Sequence, residues 1–172
     1  MSPDDSKRGA GAASRGGGGA RIVELHIDSA SIVRWSPEIE HERRVAVFDL
    51  LEDNLFELKS GPPGPYRVVL SLRNANLMFD VTSAADGRTA GFGLPLRPFR
   101  RVIKDYFVVC ESYFQAIKAL SPSRIEVIDM GRRGLHDEGA EMLLDALSAH
   151  VRTDSDTARR LFTLLCVLHV RG

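Results

Sequence analysis

Cysteine is scarce in this chain of 172 residues: Cys110 and Cys166 are the whole complement, and they form no CxxC pair. Both sit in apolar helical patterns, which marks them as buried thiols of a reducing compartment rather than as a disulfide or a zinc site. Net charge is absent too, since 23 Lys and Arg balance 23 Asp and Glu. No global basic field exists to gather nucleic acid or an anionic membrane, so any preference for anions must be local. Long hydrophobic runs are missing. The longest, Leu161 to Val170, is bounded by Arg159-Arg160 and Arg171 and falls short of the roughly 20 residues of a membrane span. The N-terminus has no apolar h-region, which excludes a secretory signal and leaves the cytoplasm as the expected location. The signatures GxxxxGK[ST], GxGxxG after a strand, GxSxG and HExxH are all lacking, so nothing points to a nucleotide, a serine hydrolase mechanism or a metal, and no cofactor is expected.

What is present begins with a tail. Residues 1–20 are mostly Gly, Ala and Ser with scattered charges, a composition that buries too little to offset the entropy of ordering it. Residues 21–172 are expected to form a single domain. Arg21 to Asp28 has the β-branched content of a strand. Ser36-Pro37 starts a helix reaching about Asn54, with Glu42 assigned to its outer face. Phe56 to Lys59 reads as a short strand. Tyr66–Arg73 and Leu77–Thr82 alternate as a hairpin turned at Asn74-Ala75-Asn76, and Thr89 to Leu96 adds a third meander strand.

The chain is organised around Pro98 to Ser148. Phe99, Val102, Ile103, Tyr106, Cys110, Tyr113, Ile117 and Leu120 recur at steps of three and four, which predicts a helix covered on most of its circumference. A second helix starts at Ser121-Pro122 and is expected to end in the turn Gly131-Arg132-Arg133-Gly134, because glycines commonly close helices in a left-handed conformation. A third runs from about Asp137 to Ser148. The last helix, after Asp154, is apolar nearly all round, and such a helix is buried in the domain or in an oligomer interface. The resulting fold class is α+β, a small antiparallel β-meander packed against a mainly C-terminal set of α-helices.

Two local features suggest a site. Arg100 and Arg101 stand in the first turn of the central helix, where the helix dipole disfavours cations by roughly 0.3–1 kcal/mol; acidic side chains from elsewhere in the fold would compensate, and so would a bound anion on the free N–H groups of that turn. The turn after the second helix gathers Arg132, Arg133, His136, Asp137 and Glu138 within a few residues.

The segments SPEIEHERRVAVFDLLEDN, PYRVVLSL, LRPFRRVIKDYFVVCESYFQAIK, IDMGRRGLHDEG and DTARRLFTLLCVLHVRG resemble those of a family of small bacterial proteins classed as uncharacterised. The likeness covers about Ile22 to Gly172 and implies a bacterial cytoplasmic protein. It brings no activity, cofactor or catalytic residue.

Function is therefore read from the residues. The leading expectation is a binding or regulatory module in which Arg100, Arg101, Arg132 and Arg133 hold a phosphate, a carboxylate or an acidic protein partner, since guanidinium forks match such groups bidentately. The alternative is an enzyme of the hydrolase or transferase class with His136 as acid or base, Asp137 or Glu138 as its orienter and the arginines as clamps. A third reading pairs the arginines with Asp105, Glu111, Asp129 and Glu138 as ordinary helix-joining salt bridges.

Overall fold

A computed structural model describes residues 18–28 and 37–168. In chain order these residues form β1 (Ile22–Ile27), α1 (Pro37–Glu52), β2 (Phe56–Leu58), β3 (Tyr66–Arg73), β4 (Asn76–Ser83), β5 (Thr89–Pro95), a 3-10 turn (Arg97–Phe99), α2 (Arg100–Ala119), α3 (Pro122–Leu147), β6 (Val151–Thr153) and α4 (Ser155–Leu168). The fold is α+β. Ser36, read as the cap of α1, lies outside the described residues.

The main sheet has the order β1-β3-β4-β5. Its meander is antiparallel, with Leu70 opposite Phe79 and Phe79 opposite Phe92. The two-residue turn Asn74-Ala75 has φ of 51° and 60°, the left-handed pair that matches strand twist in a tight hairpin. β1 joins β3 in parallel, an arrangement that needs a crossover, and α1 lies in that connection. Side chains alternate across the sheet: Tyr66, Val68, Leu70, Leu77, Phe79, Val81 and Leu94 are buried, while Arg67, Arg73 and Asp80 face solvent.

Asn54, only 4% exposed, ties α1 to β1. Its Oδ1 accepts from the Ile22 N–H at 2.7 Å, and its Nδ2 donates to the carbonyls of Ile22 at 2.9 Å and Leu50 at 2.7 Å. A second, two-stranded sheet pairs β2 with β6, and the sequence reading had missed β6. Three residues are too few for alternation to register.

Asp154 caps α4, its Oδ1 accepting from the Thr157 N–H at 2.8 Å. Leu161, Phe162, Leu164, Leu165 and Leu168 are all within 1% of complete burial, each contributing roughly 1.5–3 kcal/mol relative to exposure. This helix is the inner wall of the core, not an outer face.

One expectation about the helices is overturned. Gly131-Arg132-Arg133-Gly134 is not a turn, because α3 runs unbroken from Pro122 to Leu147. Asp129 pairs with Arg132 one turn on at 2.7 Å and with Arg133 at 2.6 Å, bridging the glycine-rich stretch. Packing against α2 and α4 supplies the rest, which outweighs a propensity cost of about 1 kcal/mol for each glycine.

Candidate functional site

α2 and α3 are joined at Leu120-Ser121 and lie against each other as an antiparallel hairpin. Arg101 of α2 meets Glu138 of α3 and also Asp105 on its own helix at 3.3 Å. Those two acids supply the negative charge that the first turn of α2 lacked. Arg100 is exposed and makes no ion pair among the described residues. Further along the hairpin, Arg132 lies over the Tyr113 ring at 5.0 Å while its Nε and Nη2 donate to Asp129 Oδ1 at 3.1 and 2.7 Å. Arg133 takes the other oxygen of the same carboxylate.

Along α2, Arg101 and Tyr113 are separated by about 18 Å of helix rise. The arginines therefore form two groups, Arg100 with Arg101 at one end of the hairpin and Arg132 with Arg133 towards the other. They do not line one pocket.

His136 is inserted between rings, tilted against Tyr106 at 5.5 Å and edge-on to Phe162 at 5.2 Å. Its Nε2 is 2.8 Å from the Thr163 hydroxyl of α4. Burial lowers its pKa to about 4, with the nearby Arg159 and Arg132 charges pushing the same way and Asp137 opposing them. The ring is neutral at pH 7. Asp137 does not orient it but pairs with Arg159, just as Glu138 pairs with Arg101.

Around Tyr106 and Arg132 the structure gathers further ionisable groups that the sequence did not bring together. Burial raises the pKa of Glu42 on α1, against the pull of Arg132 and His41. Burial also raises the Tyr106 phenol, with Cys110, Glu42 and Cys166 adding to the effect. The Cys110 thiol is pushed up to about 11, and Cys166, fully enclosed, is raised well above its usual value. Both cysteines are free. Glu42, Tyr106, Cys110, Arg132 and Cys166 thus come within electrostatic reach of one another from four helices. A spacing signal existed for Glu42, because it stands four and eight residues before Ala46 and Leu50, the buried stripe of α1.

Chemically the cluster is quiet. Burial holds the thiols, the phenol and His136 in their neutral forms, so no thiolate is poised for attack. Among the described residues no group of three or more His, Cys, Asp or Glu could hold a metal ion. No described helix is long and apolar enough to cross a membrane.

Fold and cluster together define a small α+β protein, a mixed sheet with four packed helices, in which Arg101–Glu138 and Asp137–Arg159 join neighbouring helices. The chain belongs to the uncharacterised protein family UPF0262, which matches residues 19–171. It is 54% identical over 151 residues to a UPF0262 protein of Rhodospirillum rubrum, covering 88% of this chain and 93% of the relative. Against a UPF0262 protein of Rhizobium meliloti the identity is 55% over 152 residues, covering 88% and 96%. A UPF0262 protein of Dinoroseobacter shibae is 51% identical over 155 residues, covering 87% and 98%. No solved structure matches the chain. The family is bacterial, and its function is unknown.

Proposed function

We propose that the protein is a cytoplasmic binding or regulatory module that recognises a phosphate- or carboxylate-bearing ligand, or an acidic protein partner, at Arg132 and Arg133. The observation that carries this reading is the sharing of one carboxylate, Asp129, between two guanidiniums. Arg133 is the exposed cation of that trio, while Arg132 is half-buried and also faces Glu42. Stacking on Tyr113 presets the plane of the Arg132 fork, which lowers the ordering cost of bidentate recognition. Arg101 contributes less, being neutralised by Glu138 and Asp105. The cytoplasmic assignment rests on two free, buried thiols.

The enzymatic alternative has weaker support. A histidine with a pKa near 4 is a poor base at neutral pH, and the acids beside it are engaged by arginines.

The test is thermal denaturation in inorganic phosphate and in citrate, each against chloride at equal ionic strength. Phosphate or citrate raises the melting temperature of the parent, by the equivalent of about 2.7 kcal/mol at a hundredfold excess over the dissociation constant. R132A and R133A lose that response and H136Q keeps it. A parent that responds to neither anion, or arginine variants that respond as the parent does, would overturn the reading.

A further inference from the structure

The main sheet has an open edge at β5. Among the described residues this strand pairs with β4 alone, and the bonds from Ser83 N–H to the Arg88 carbonyl and from Leu96 N–H to the Ala75 carbonyl bracket that ladder. Bonded and non-bonded pairs alternate between antiparallel strands, so Ala90, Phe92 and Leu94 turn their backbone groups to β4 while Thr89, Gly91 and Gly93 turn theirs outwards. Nothing among the described residues hydrogen-bonds those outward groups. Two of the three positions are glycine, so no side chain screens them. The opposite edge is shielded where Asn54 takes both the N–H and the carbonyl of Ile22. Proteins usually blunt a free edge with charge, proline or a bulge, and on β5 only Pro95, its last residue, does so. A row of open donors and acceptors is a template for one more strand.

A hollow of about 430 Å³ lies beside this row, lined by Asp80, Val81, Thr82, Thr89, Ala90 and Gly91. Asp80 stands opposite Gly91 in the ladder, and a Cβ at Gly91 would sit 3.7 Å from Asp80 Oδ1. The absent side chain is what leaves that oxygen open. Arg73 Nη2 donates to the other oxygen at 3.0 Å, and Oδ1 accepts no hydrogen bond among the described residues.

Edge and hollow together select the occupant. A strand laid antiparallel on β5 exchanges two hydrogen bonds with Gly91 at the residue facing it, and the side chain of that residue falls on the same face as Asp80. Strands lie about 4.8 Å apart, so reaching Asp80 means crossing two spacings, which lysine and arginine can do and serine or threonine cannot. The free carboxylate oxygen favours a cation there. A second β5 in antiparallel pairing does not supply one, because its outward row offers Thr89, Gly91 and Gly93.

We infer that the outer edge of β5 docks an extended segment of a partner protein, antiparallel to β5, carrying a lysine or arginine that crosses Gly91 to Asp80. Main-chain bonds then give affinity and the hollow gives specificity. The inference is independent of anion recognition at Arg132 and Arg133.

The probe is the blocked peptide VTVKVTV, with VTVEVTV as its control. The isotopically labelled full chain is titrated with each to about 2 mM and followed by amide NMR, because one short added strand lies at the low end of interface sizes. The lysine peptide is expected to shift the Gly91 and Gly93 amides saturably and to slow their hydrogen exchange, and the glutamate peptide to bind about tenfold more weakly. D80N brings the two peptides close in affinity. G91P removes one outward N–H, leaves the bonds to β4 in place and weakens both. Gly91 and Gly93 amides already protected without peptide would overturn the inference, since another copy then covers the edge. So would a lysine peptide that leaves these amides unmoved, or one bound no better than the glutamate peptide. All three observations are made on the parent, so a variant that fails to fold leaves them decisive.

Discussion

His136 sits between Tyr106 and Phe162 with little water to stabilise an imidazolium, and that loss sets how the fold responds to acid. Its folded pKa, about 4, lies below the ordinary value of 6.5, so between those limits the unfolded chain binds a proton that the native state refuses. Stability contributed by the neutral ring is fully present above about pH 6.5 and is lost as pH falls towards 4, by roughly 3 kcal/mol at most. Comparing urea denaturation of the parent and H136F from pH 7 to pH 4 isolates this residue. The parent should lose more stability over that interval than the variant, and parallel curves would show that His136 is not protected from protonation. At this scale the sequence was partly legible. The clustering of His136 with Arg132 is visible from spacing, and so is the pairing of the arginines with Asp105, Asp129 and Glu138, although of these pairs only Arg101–Glu138 joins two helices, while Asp129 holds Arg132 and Arg133 within α3. Asn54 was not foreseen, because two of its three hydrogen bonds reach Ile22, 32 residues away, and no local pattern records such a partner.

The helices were legible wherever periodicity had only one interpretation. α2 and α4 follow their apolar repeats closely; Asp154 caps the start of α4, whereas α2 continues from the 3-10 turn with no side-chain cap at Phe99, and Pro98 lies in that turn rather than at the first position of the helix. α3 was divided in two because glycine has two uses in a helix, to end it or to make room, and composition alone does not separate them. Within α3 none of the three glycines ends the helix, and only Gly139 makes room. A Cβ on Gly139 would lie 2.1 Å from the tip of the buried Phe162 ring, whereas Gly131 and Gly134 face open space. G131A and G134A should each raise stability by about 0.5–1 kcal/mol, since alanine restricts the unfolded chain and favours the helix. G139A should lower it by about 1–3 kcal/mol, because the ring has nowhere to retreat in a packed core. Urea denaturation reads all three. Equal effects would mean that Phe162 yields to the new methyl group and that Gly139 is not a packing glycine.

At the scale of the whole molecule, the meander was legible from alternation and turn chemistry, but the parallel placement of β1 beside β3 was not, since long-range pairing leaves no local trace. That placement gives the residues just before β1 their importance. The Phe56 N–H donates to the Ala20 carbonyl and the Tyr66 N–H to the Arg21 carbonyl, both at 2.9 Å, while Arg21 Nη2 donates to the Leu51 carbonyl. Ala20 itself is 8% exposed. The composition of residues 1–20 suggested a tail up to Ala20, yet the backbone bonds to the fold begin before that boundary. Removing residues 1–17, which hold no large apolar side chain beyond Met1, should leave the melting temperature close to that of the parent. Removing residues 1–21 should not. It strands the N–H groups of Phe56 and Tyr66, both at least 99% buried, at about 1–3 kcal/mol for each donor left without a partner. For a chain of this size each kcal/mol corresponds to roughly 2–4 °C, so the longer deletion should melt on the order of 5–15 °C lower. Calorimetry of the two truncations side by side decides the matter. If they melt together, the strand β1 is held by β3 and Asn54 alone, and the backbone bonds of Ala20 and Arg21 contribute nothing that solvent does not replace.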